Sequence, residues 1–328
     1  MILRGILPAT ALSLLVACWS PVTQAAELGT IKVGVLEFGT VNWELDVIKH
    51  HELDAARGFE LEVQGFGSGQ ATNVALQGGA VDAVVDDYLW VARQRAEGEL
   101  LSFVPYSSTV GALVVPPDSD ITSLENLAGR KVGIAGGPID KSWLLLQGLA
   151  AKRHGMDLAA AVEPVYGAPP LLNEKVEDGE LDAVLNYWHF TARLEARGYQ
   201  ELVGVEEAIA ELGVDSVPPQ LGYVFSESFG QQHPELIAAF VDASREAKQL
   251  LMSDEEWQRI RPLTRAEDDA TLEALKRRYQ QGITDHWGKD EQADAAKLYD
   301  ILVELGGDKL VGGATELTPG TFWPGVTY

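Results

Sequence analysis

The chain has 328 residues, 25 of them basic and 49 acidic, for a formal net charge of −24. So acidic a surface repels nucleic acid and anionic lipid and removes both as partners. The one cysteine, Cys18, leaves no intramolecular disulfide, so stability must come from core burial.

The first 25 residues read as an export signal. Arg4 gives a positive start, Gly5 to Trp19 is apolar, Ser20-Pro21 breaks the run, and Thr23-Gln24-Ala25 offers small residues for cleavage. The run is shorter than the roughly 20 apolar residues of a spanning helix. Leu15-Val16-Ala17-Cys18 also looks like a lipobox, so a free exported protein and one anchored through Cys18 both stay open. About 300 residues remain, enough for two lobes with substantial cores.

Ile31 to Leu36 alternates and predicts a strand, Val41 to Ala56 a helix, and Phe59 to Phe66 a second strand. Ser68 caps a helix running to about Gly78, and Val81 to Val85 is a third strand. The order then recurs: strand Lys131 to Ala135, helix Asp140 to His154, strand Val162 to Tyr166, helix Pro169 to Glu177, strand Leu181 to Leu185. Two phrases mark the recurrence. Lys32-Val33-Gly34-Val35 returns as Lys131-Val132-Gly133-Ile134, and Gly79-Ala80-Val81-Asp82-Ala83-Val84-Val85-Asp86 returns as Gly179-Glu180-Leu181-Asp182-Ala183-Val184-Leu185-Asn186. The glycines of the two phrases stand 45 residues apart in one half and 46 in the other.

This pattern predicts an α/β fold of two interleaved Rossmann-like lobes with a ligand cleft between them. Gly111 to Pro117 and Val217-Pro218-Pro219 are the expected crossings. Lobe one is then 26–114 with 221–328, and lobe two is 115–220. From Pro234 onward the pattern is helical, an extension expected on lobe one, and Leu317 to Tyr328 reads as a strap packed on that lobe.

Ligands of open parallel sheets sit outside the carboxyl ends of the strands. That rule selects Phe38 and Trp43, Ser68, Gly69 and Gln70, Asp86, Asp87 and Trp90, Gly137, Lys141 and Ser142, and Asn186, Tyr187, Trp188 and His189. Trp43 and Trp188 are expected at the cleft, whereas Trp90 and Trp143 divide evenly between cleft and core. The helix starts at Ser68 and Gly137 favour an anionic or acceptor-rich group, and Lys141 adds a cation unless it pairs with Asp140. Asp86 and Asp87, with Glu37 and Glu44 nearby, instead suit a protonated amine beside indole rings. The two readings stand side by side, the cationic one slightly ahead. His189 opposite Asp86 or Asp87 has the makings of a base, but a contact or packing role fits it better. No nucleophile elbow, phosphate loop or metal-ligand spacing occurs, so the expectation is no enzyme, no cofactor and no metal.

The repeated phrases, Leu124-Glu125-Asn126-Leu127-Ala128-Gly129-Arg130-Lys131-Val132-Gly133 and Phe229-Gly230-Gln231-Gln232-His233-Pro234-Glu235 resemble periplasmic substrate-binding proteins of ABC importers. Within them the chain is similar to the NMT1-like branch that takes sulfonates, taurine, nitrate and thiamine pyrimidine precursors. The resemblance implies a type II periplasmic-binding fold, a periplasmic monomer, a small organic ligand and an ABC permease as partner. It also implies ligand contacts from the first-strand loop, Ser68-Gly69, the Asp86 region, Gly137 to Ser142 and Tyr187-Trp188. Tyr187-Trp188-His189 replaces the family's frequent Trp-Asp-Pro turn, and Asp86-Asp87 replaces small or hydroxyl residues. These departures favour an amine, a pyrimidine or another aromatic ligand over a sulfonate. The family also leaves open a sensor partner of a membrane protein. An enzyme of pyrimidine chemistry is disfavoured, because its cysteine-rich motif is missing.

Overall fold

A computed structural model describes residues 28–328; the expected export signal and Cys18 lie outside them. Lobe one begins with β1 (Gly29–Leu36), α1 (Val41–His50), β2 (Phe59–Phe66), α2 (Gly69–Gln77), β3 (Ala83–Asp87), α3 (Tyr88–Ala96) and β4 (Leu101–Ser107). The chain then crosses to β5 (Ala112–Val115), β6 (Lys131–Ala135), α4 (Lys141–His154), α5 (Leu158–Ala161), β7 (Glu163–Gly167), α6 (Pro169–Glu177), β8 (Ala183–Asn186), α7 (Trp188–Ala196), β9 (Gln200–Gly204) and α8 (Val205–Leu212). It returns as β10 (Leu221–Ser226), followed by α9 (Glu227–Gln232), α10 (Pro234–Leu250), α11 (Asp254–Thr264), α12 (Asp269–Gln281), α13 (Lys289–Gly306) and α14 (Asp308–Val311).

Two five-stranded sheets result, ordered β2-β1-β3-β10-β4 and β7-β6-β8-β5-β9. Each has one antiparallel strand in the fourth place, and in each it adjoins a crossing. β5 pairs with β8 and β9, so Ala112 to Val114, assigned to lobe one from sequence, belong to the second sheet. The crossing therefore runs through Ser108 to Gly111. Gly111 has to be glycine, because a Cβ there would stand 2.0 Å from the carbonyl oxygen of Asn186.

The repeated phrases are a strand-locking device. Lys32 N–H donates to Asp82 Oδ2 at 2.8 Å, and Asp82 N–H returns a bond to the Lys32 carbonyl, also at 2.8 Å. In lobe two Lys131 and Asp182 do the same at 2.8 and 2.9 Å. Gly34 and Gly133 leave room for Val81 and Val84, and for Leu181 and Val184, to pack against the strand. Each phrase thus fixes the register of a central strand against its neighbour.

The first helix stops at His50 rather than Ala56, because Glu52 takes a positive φ of 53°. The helical extension starts on lobe one, where α10 packs on α1, and its long helix α13 crosses to lie along α4. Ser216 and Asp294 tie the start of α13 to lobe two. The tail then returns to lobe one, where Phe103 N–H donates to Thr321 O and Trp323 N–H to Phe103 O, extending the β4 edge.

Candidate functional site

The carboxyl ends of β1 and β3 face those of β6 and β8 across a cavity of about 320 Å³. Five helices begin at its wall: α1 at Thr40-Val41, α2 at Gly69, α4 at Lys141-Ser142, α7 at Trp188-His189 and α8 at Val205. Their positive ends converge on the space. Two are already satisfied by side chains. Ser68 accepts from Ala71 N–H at 3.2 Å, and Asp140 accepts from Ser142 N–H at 2.9 Å and Trp143 N–H at 3.3 Å. α1 and α7 have no side-chain cap; Asn42, Trp43 and Phe190 N–H bond backbone carbonyls, which leaves Val41, Trp188 and His189 N–H for an acceptor atom.

Most of the remaining wall is apolar: Leu36, Val41, Val85, Val110, Leu145, Val205 and Leu221, with the face of Trp188. Polar groups come from Thr40, Thr72, Tyr106, Thr109, Ser142, Tyr187, His189 and Gln220. His189 is neutral: burial, aided by the charge of Arg193, pulls its imidazole down to about 3. Burial raises the Tyr187 phenol, with the Asp140 carboxylate adding to it.

The charges at the rim are paired within the protein. Lys141 on lobe two donates to Asp87 on lobe one at 2.5 Å. Against the desolvation of burial, the ammonium holds the Asp87 carboxyl below its ordinary range, and Asp87 holds Lys141 above its own. Asp87 also caps α3 through Trp90 N–H at 2.8 Å. Asp86 accepts from Asn73 Nδ2 at 2.8 Å and from Asp87 N–H at 2.7 Å; burial, then the Asp87 charge, push it up to about 6. Burial also raises Asp140.

Of the residues selected from sequence, Gly69, Lys141, Ser142, Tyr187, Trp188 and His189 line the cavity. The others stand elsewhere, each for a physical reason. Asp86 and Asp87 spend their carboxylates on Asn73, Trp90 N–H and Lys141 instead of facing an amine. Asn186 is the lobe-two counterpart of Asp86, buried and donating to Asn173 Oδ1 at 2.8 Å and Pro169 O at 2.9 Å. Trp43 sits behind Trp188, in an edge-to-face pair with centroids 5.9 Å apart, and Trp257 and Tyr279 complete the cluster. Trp90 and Trp143 are core residues of helix faces. Phe38 is 68% exposed, with the Arg265 guanidinium 4.4 Å above its ring. Ser68, Gln70 and Gly137 lie outside the cavity wall, Ser68 as a cap. Glu44, expected near the cleft, is fully buried against Lys248.

Sequence reasoning missed Thr72, Tyr106, Thr109 and Gln220. Tyr106 lies on β4, whose residues are buried on both faces and show no alternation to read. Thr109 and Gln220 come from the two crossings, and the Pro218-Pro219 signal had already placed one of these.

The Lys141–Asp87 pair joins the lobes at the mouth of the cavity, while the Trp188–Trp43 contact joins them behind it. Lys141→Met is expected to lower stability by about 1 kcal/mol. In small-angle scattering the ligand-free variant should have a larger radius of gyration than the parent. Equal radii would show that the pair does not hold the lobes together.

Two α/β lobes, two crossings and a cavity at the facing strand ends define the periplasmic-binding-protein fold. Solved structures bear this out. The chain is 18% identical to the aliphatic sulphonate binding protein SsuA from Escherichia coli, covering 90% of this chain and 97% of that one, with a TM-score of 0.71. The alkanesulfonate-binding protein SsuA from Xanthomonas axonopodis pv. citri, solved with MOPS, is 18% identical over 91% and 99% of the chains, with a TM-score of 0.67. A Candida albicans protein described as having the generic periplasmic binding protein fold aligns at 15% identity over 87% and 94%, with a TM-score of 0.57. No curated protein matches the sequence. The family model described as NMT1/THI5 like matches residues 55–256, more than half of the chain, and the protein belongs to that family.

Proposed function

We propose that the protein is the solute-binding component of an ABC importer. It captures one small organic molecule between its lobes and presents the closed form to a membrane permease. The observation that carries this reading is the 320 Å³ cavity built by both lobes, with an ion pair bridging them at its mouth. The SsuA structures, named as sulfonate binders, support the transport role. No helix among the described residues is long and apolar enough to cross a membrane, as suits an exported, periplasmic domain.

An aromatic or pyrimidine ligand fits this wall better than a sulfonate or an amine. Trp188, Tyr187, Tyr106 and His189 offer ring surface, while Asp86 and Asp87 are spent inside the protein. A thermal-shift screen of pyrimidines, small aromatics, amines and sulfonates tests the reading. A ligand at about 100 times its Kd adds about 2.7 kcal/mol, a shift of several degrees. It should also reduce the radius of gyration of the Lys141→Met variant. A screen in which no compound raises the melting temperature would sink it.

A further inference from the structure

The cavity has the parts of an anion site and a reason not to act as one. Helix starts at α1 and α7 are uncapped and point N–H groups into it, and Lys141 stands on the same wall. Such an arrangement attracts a carboxylate or a sulfonate. Yet the Lys141 ammonium is bonded to Asp87 across the lobe boundary at 2.5 Å. The other charged wall residue, Asp140, gives Oδ1 of its carboxylate to the start of its own helix.

We infer that Asp87 sets the charge of the ligand. By capturing Lys141 it turns an anion site into one for an uncharged small molecule carrying hydrogen-bond acceptors. This rests on the solute-binding reading and adds a substrate class to it. An anion entering the cavity meets a cation that is already neutralised, and it must either share Lys141 with Asp87 or lose its hydration without recompense. A cation meets the uncapped helix ends of α1 and α7, and the one carboxylate in the wall, Asp140, is held at the start of its own helix through Oδ1. A neutral molecule with a carbonyl oxygen or ring nitrogen meets the N–H groups of Val41, Trp188 and His189 and a wall of apolar and uncharged polar side chains. His189, neutral by its burial, adds no charge of its own.

Four nearly isosteric probes separate charge from shape: benzamide, benzoate, benzenesulfonate and benzamidine. Isothermal titration at about pH 7.5 is run on the parent, on Asp87→Asn and on Trp188→Ala. Asparagine keeps the cap on α3, and circular dichroism checks the fold of each variant. In the parent, benzamide should bind at least about ten-fold more tightly than each charged probe. In Asp87→Asn the freed Lys141 should improve benzoate and benzenesulfonate about ten-fold or more and leave benzamide within about three-fold, reversing the order, since ten-fold is the effect of about 1.4 kcal/mol. A charged probe that binds the parent as tightly as benzamide, with binding lost in Trp188→Ala, overturns the uncharged class and leaves solute binding standing. Unchanged preference in Asp87→Asn overturns the role of Asp87. No binding by any probe at about 10 mM overturns both readings.

Discussion

Replacing Glu44 with glutamine is expected to destabilise the protein by about 3–5 kcal/mol, the largest loss of any single conservative change proposed here. Glu44 on α1 is fully buried, and its carboxylate is a hub: Oε2 meets Lys248 Nζ at 2.7 Å, and Oε1 accepts from Tyr223 Oη at 2.7 Å and Ser244 Oγ at 2.6 Å. Tyr279 adds a longer bond of 3.3 Å. Every neighbour is a donor. A glutamine amide must therefore turn its own NH₂ group toward Lys248, where donor faces donor, or toward the hydroxyls, which can accept it only by giving up the bonds they now donate. Lys248, 6% exposed, then keeps its charge without a counter-ion.

Burial already draws the Lys248 ammonium below its ordinary pKa, in spite of Glu44. A depressed lysine destabilises the folded state while it is charged, and the strain is relieved as pH rises through the folded pKa. The loss in Glu44→Gln should accordingly shrink toward alkaline pH. Lys248→Met alone should cost several kcal/mol, and the double variant should recover most of it, because the burden lies in the unpaired charge and not in the missing bond. Urea denaturation of the four proteins closes the cycle. Additive losses would show that the two residues are not a pair. The effect reaches the ligand as well: Lys248 Nζ lies 4.9 Å over the ring of Tyr106, which is part of the cavity wall.

The scaffold was readable because it is built from local, repeated rules. The Lys32–Asp82 and Lys131–Asp182 locks recur at matching places, and the strands they join alternate or carry β-branched residues. Cavity positions at helix starts, such as Lys141-Ser142 and Trp188-His189, followed from the rule of strand ends. Partnership was not readable. Asp86, Asp87 and Glu44 look alike in sequence, yet one carboxylate bonds Asn73, one bonds Lys141 54 positions away, and one bonds Lys248 more than two hundred away. Trp188 lines the cavity as expected, but the other tryptophans near the strand ends do not, for a related reason. Trp43, Trp90 and Trp143 each lie on helices that start near the cleft, but their inward faces meet other elements rather than the space between lobes. One signal was present and unused: Asn73 precedes Asp86 by thirteen residues, and Asn173 precedes Asn186 by the same thirteen.

That last pairing makes a prediction of opposite sign. In lobe two Asn186 accepts from Tyr187 N–H at 2.8 Å and meets Asn173, a neutral pair. In lobe one Asp86 does the same with Asp87 N–H and Asn73, but as an acid beside a second acid. Asp86→Asn therefore installs the lobe-two arrangement in lobe one, with Asn73 turning its amide to present oxygen. A carboxyl raised from 3.8 to about 6 on folding favours the folded state only when protonated. Its contribution is present below the unfolded pKa and is lost as pH rises through about 6. At neutral pH the ionised form costs about 2–3 kcal/mol, at about 1.4 kcal/mol per pKa unit. The variant should thus melt several degrees higher than the parent at about pH 7.5. The advantage should fall between pH about 7 and about 4 and be nearly gone below that, as the parent takes up its proton. Benzamide binding should be unchanged, because Asp86 is not part of the cavity wall. A parent and variant with parallel melting curves across this range would mean that Asp86 is charged without strain, and lobe one would then tolerate the acid that lobe two replaced.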